Sequence, residues 1–68
     1  MSDQLLITGF EAALMLGMSR TRLVRIARRG EVPHVVLPDG EIRFRRADLV
    51  EWVASYRRPA RPPEVRHG

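Results

Sequence analysis

One run constrains this chain more than any other: Ser19 to Arg29, SRTRLVRIARR. It holds five arginines (Arg20, Arg22, Arg25, Arg28 and Arg29) and no acid. Leu23, Ile26 and Ala27 follow the i, i+3, i+4 spacing of a helix with one apolar stripe. At about 100° per residue, Thr21, Arg25 and Arg28 fall within about 40° of the side opposite that stripe. Arg22 and Arg29 flank this side, and Arg20 lies nearer the stripe's rim. Ser19 is a good N-cap, because its hydroxyl can accept from free first-turn amides. Gly30 can take the left-handed conformation that ends a helix. The spacing therefore predicts a short helix with one apolar side and a broad cationic one. A solvated face would do as much for solubility, but solvated faces generally mix signs. Five like charges repel one another unless a polyanion faces them.

The charge distribution sharpens this. Net charge is +4, and all 12 basic residues are Arg. An all-arginine set also follows from a GC-rich coding sequence, so placement carries the signal rather than identity. Residues 1–18 sum to −2, 19–29 to +5, 30–56 to −2 and 57–68 to +3. Basic charge thus sits in one helix and one tail. Sixty-eight residues allow one small domain with a modest core. There is no cysteine to form a disulfide or a thiolate metal site. His34 and His67 lack companions at ligand spacing. Neither a metal nor a cofactor is expected. No apolar run approaches the ~18 residues of a membrane span. MSDQLL lacks the basic region of a signal peptide, so a cytoplasmic location is expected.

Ahead of the basic run, Thr8-Gly9-Phe10-Glu11 has the form of a capping box. It predicts a helix from about Gly9 to Leu16, stopped by Gly17. Phe10, Ala13, Leu14 and Leu16 are expected on its buried side, with Met15 a further candidate. Two short helices joined by a tight Gly-containing turn, the second basic, form a helix-turn-helix arrangement. Behind the run, Pro33 ends helical continuation. His34-Val35-Val36-Leu37 and Ile42-Arg43-Phe44-Arg45 read as two strands around the turn Pro38-Asp39-Gly40-Glu41. Val35 and Leu37 are expected to face Ile42 and Phe44 on the core side, with Arg43 and Arg45 on the other. Residues 47–53 resume helical spacing, with Leu49, Trp52 and Val53 as the stripe and Trp52 in the core. No good N-cap precedes this helix, since Arg45 or Arg46 occupies that slot. The composition predicts a folded domain over 1–56 and a disordered, Pro-rich basic tail over 57–68.

In order, these pieces are a helix, a tight turn, a basic helix, a two-strand wing and a Trp-bearing helix. The runs LGMSRTRL, RRGEVP and IRFRRADLVEW, at these separations, resemble the excisionase family. That family consists of small winged helix-turn-helix proteins related to the DNA-binding half of MerR regulators. The likeness spans roughly residues 5–54. It implies a mostly α fold with a small β-hairpin wing and no catalytic activity. It further implies binding to repeated sites in double-stranded DNA, bending of that DNA, cooperative self-association on it, and an integrase partner biased toward excision. Carried onto this chain, Ser19, Arg20, Thr21, Arg22 and Arg25, with Arg28 on the same face, would contact groove and phosphate. Arg43 and Arg45 would serve the wing. Asp39 and Glu41 depart from this scheme, because acids at a wing tip repel phosphate. Either the tip stays shallow, or Arg43 and Arg45 do the wing's work. Two other readings remain: a transcription regulator of the same fold, and a phage interaction module that binds no DNA. An enzyme is not expected, because no nucleophile–base pair, Gly-rich phosphate loop or paired carboxylates in a cleft can be found. His34 reads as structural or solvated.

Overall fold

The computed structural model describes residues 5–60. Strand β1 (Ile7–Thr8) leads into helix α1 (Gly9–Leu16) and helix α2 (Arg20–Arg28). Strands β2 (Val35–Val36) and β3 (Ile42–Phe44) follow, and helix α3 (Arg46–Ser55) ends the fold. Residues 57–60 have no regular structure, and the rest of the expected tail lies outside the described residues.

Local chemistry sets the helix ends. The Thr8 hydroxyl accepts from the Glu11 amide at 3.1 Å. The Glu11 carboxylate accepts from the Thr8 amide at 3.1 Å, closing the capping box. At the far end Gly17 turns left-handed, with φ 68°. The Met18 amide then reaches back to the Ala13 carbonyl at 3.0 Å. Ser19 caps α2 through the Arg22 amide at 3.1 Å. Gly30, with φ 78°, ends it, its amide bonding the Ala27 carbonyl and that of Glu31 the Ile26 carbonyl. Arg45 occupies the N-cap of α3 without a side-chain bond, as its sequence slot indicated.

Only three residues, Gly17 to Ser19, separate α1 from α2. So short a link forces the helices together, and close approach selects small side chains. The buried side of α1 is accordingly Gly9, Ala12 and Ala13, with Leu16 half-buried. A Cβ on Gly9 would stand 3.4 Å from Cγ2 of Val24. This corrects the expected stripe: Phe10 is 60% exposed and Leu14 67%, and Met15 is also exposed. Ala13 and Leu16 lie inward as expected, and Gly9 and Ala12, rather than Phe10 and Leu14, complete the i, i+3, i+4, i+7 set.

The sheet has three antiparallel strands in the order β1-β3-β2, one more than the expected hairpin. Ile7 lies opposite Phe44 and Thr8 opposite Arg43. The register of β2 also differs from expectation. Leu37 and Glu41 pair through the Leu37 amide, and Gly40, with φ 87°, donates to the Leu37 carbonyl. The three-residue loop Pro38-Asp39-Gly40 thus carries its extra residue at Gly40 as a bulge. The bulge sets Val35 opposite Arg43 and Val36 opposite Ile42. Cross-strand partners share a face, so Val35 sides with Arg43 and not with the core.

Ile7, Ile42 and Phe44 close over Ala12, Ala13, Leu23, Ala27, Val32 and Leu49 to form the core. No buried polar or charged side chain is present among the described residues. Trp52 is not in this core. It packs half-buried at its margin, and its indole Nε1 donates to the Glu31 carbonyl at 3.0 Å. Val53, also expected inside, is 48% exposed. Among the described residues no helix is long and apolar enough to cross a membrane.

Candidate nucleic-acid interface

Helix α2 buries Leu23 and Ala27 and half-buries Val24 and Ile26. Arg20, Thr21, Arg22, Arg25 and Arg28 are all exposed. With Leu23 and Ala27 pointing inward, Arg25 stands outermost, Arg28 and Thr21 lie on the Val24 side, and Arg22 lies on the Ile26 side. No acid lies on this helix. The Ser19 hydroxyl is engaged by the Arg22 amide, which leaves its own hydrogen able to donate.

Beside α2 runs a groove of about 630 Å³. One wall is the row Arg20, Val24 and Arg28, spaced i, i+4, i+8 and so about 12 Å long. The start of α1 contributes Thr8, Gly9 and Phe10. The opposite wall is the wing, from Asp39 to Arg43. The groove therefore gathers Arg20, Arg28 and Arg43 from the eight candidate residues. Ser19, Thr21, Arg22, Arg25 and Arg45 lie outside its lining. The first four belong to the cap and outward face of α2, and exposed Arg45 is the N-cap ahead of α3.

Arg43 is half-buried and not free. Its Nη1 donates to Oε1 of Glu41 at 2.8 Å and to the Ile42 carbonyl at 3.1 Å. Asp39 is occupied in the turn, where its carboxylate accepts from the Glu41 amide at 3.0 Å. Sequence reasoning missed Phe10 as a groove residue because it assigned that ring to the core. The run of small residues at 9, 12 and 13 was the signal that could have placed it outside. His34 is structural in part: its Nδ1 donates to the Val32 carbonyl at 2.8 Å.

A helix, a three-residue turn, a basic helix and a flanking wing are thus assembled around one groove. A family model described as a helix-turn-helix domain matches residues 6–57, most of the chain. The chain belongs to this helix-turn-helix family. No curated protein and no solved structure matches it. Its three helices and small antiparallel sheet make it a winged helix-turn-helix domain. In a helix-turn-helix domain of the DNA-binding class, the second helix is the one that enters the major groove. Here that helix is α2, the one carrying the arginines.

Proposed function

We propose that this helix-turn-helix protein binds double-stranded DNA sequence-specifically as an excisionase-type factor. In this reading α2 lies in the major groove and the wing rests on the neighbouring backbone. The observation that carries it is the acid-free arginine surface of α2, exposed beside a wing-lined groove. Arginine pairs bidentately with guanine O6 and N7. Thr21 and Ser19 are small enough to approach a phosphate or a thymine methyl. Arg20, Arg22, Arg25 and Arg28 are the α2 candidates for base and phosphate contacts. Arg43 and Arg45 are the wing's cations. About six phosphate contacts would give a log–log salt slope near −5.

The finer role follows from the excisionase resemblance: tandem copies bound cooperatively, a bent site and a partner integrase, all on cytoplasmic DNA. Circularly permuted duplexes test the bend, since a bent site makes complex mobility depend on its position. Uniform mobility would remove bending. Excision by an integrase encoded beside the gene should rise when this protein is added. An excision rate independent of the protein, with promoter activity responding instead, would move it to transcription control.

A further inference from the structure

The pair formed by Glu41 and Arg43 is the one ion pair among the described residues, and both partners line the groove opposite Arg20 and Arg28. We propose that Glu41 is a specificity-determining residue of the DNA-binding surface: it holds the Arg43 guanidinium and yields it only to a phosphate seated where the wing fits. The proposal rests on the DNA-binding reading above and concerns the part of that surface which the wing supplies.

Arg43 lies on the central strand, paired with Thr8 on one side and Val35 on the other. Its backbone is therefore fixed, and only the side chain can move. Two bonds orient its guanidinium, to the Glu41 carboxylate and to the Ile42 carbonyl. Residues 37–45 carry Asp39 and Glu41 against Arg43 and Arg45, so the wing is neutral overall. Of the groove's two facing walls, only α2 then carries net positive charge to attract a phosphate at long range. On a correctly placed duplex, a phosphate oxygen can replace the carboxylate on Arg43, exchanging one charge-assisted bond for another. On a poorly placed duplex the phosphate nearest the wing cannot displace the carboxylate, so Arg43 stays paired with Glu41 and adds no contact. The same carboxylate thus penalises nonspecific complexes more than the specific one. Its side chain is 57% exposed, so the fold does not depend on it.

The test uses Glu41→Gln, which keeps the side chain's length and an acceptor oxygen but removes its charge. The probes are a duplex enriched from a random pool by the wild-type protein and a shuffled duplex of equal composition. The variant should bind the shuffled duplex more tightly. One freed phosphate contact adds about 0.9 to the salt slope, so this gain should be about three- to fourfold larger at roughly 50 mM than at roughly 200 mM salt. The enriched duplex should gain less, so the ratio of the two affinities falls. In an Arg43→Gln background the change should vanish. An unchanged ratio overturns the role of Glu41 alone. So does a change that persists without Arg43, which would make Glu41 a general repulsive charge. No wild-type enrichment or shift at the lower salt overturns the DNA-binding reading beneath.

Discussion

Phe44→Ala should destabilise this protein more than Trp52→Ala, although tryptophan is the larger residue. Phe44 is fully buried on the middle strand, opposite Ile7 and against the helices. Removing a ring from such a site costs about 3–5 kcal/mol. A chain of this length is stable by roughly 3–10 kcal/mol in total. At about 4–8 °C per kcal/mol, the melting midpoint should fall by about 15–30 °C, or the cooperative transition should disappear. Trp52 is half-buried. It contributes packing at the core margin, the bond to the Glu31 carbonyl and an edge-on contact with Tyr56 at 5.2 Å between ring centroids. The bond contributes about 1 kcal/mol, and with partial burial the whole loss should be near 2 kcal/mol. Thermal melts followed by far-UV circular dichroism measure both variants. A larger loss for Trp52→Ala, or a shift under about 5 °C for Phe44→Ala, would refute the placement of the core in β3.

Three further outcomes follow from particular side chains. Ser19→Ala should cost about 1 kcal/mol of stability through the lost cap on α2, and an unchanged denaturation midpoint would show the Ser19–Arg22 bond to be idle. Arg25→Ala should leave the exposed face folded and weaken DNA binding by about 1–3 kcal/mol if Arg25 reads a base; an unchanged affinity removes it from the interface. Deleting residues 57–68 should preserve the melting curve, and a collapsed spectrum would show that the segment is docked.

The parts of this fold legible in the sequence are those governed by local chemistry. Thr8 with Glu11, Gly17, Ser19 and Gly30 fixed the helix ends within a few residues of chain, and each makes the bond its type implies. What could not be read depends on distant partners. Strand β1 is two residues long, too short to show a period, and becomes visible only through Phe44 and Arg43. The bulge at Gly40 moves β2 by one position, which sets Val35 beside Arg43, while Val36, opposite Ile42, stays 60% exposed. Weighting residues by size selected Phe10 and Leu14 for burial beside Ala13, whereas the short turn demanded Gly9 and Ala12 there. The same weighting drew Trp52 inward. At the candidate interface, the arginines of α2 were legible because periodicity alone orients them. The link between Glu41 and Arg43 was also within reach, since i, i+2 residues on a strand share a face. Reading the wing acids only as repulsive obscured it.

A gel shift of the purified protein on duplex DNA flanking its own gene, at low and high salt, decides whether α2 is a DNA-binding surface. A ladder of complexes that weakens steeply with salt, with a log–log slope near −5 for about six phosphates, is expected from the exposed arginines. No shift at low salt would contradict it and assign the helix-turn-helix scaffold to holding a protein instead.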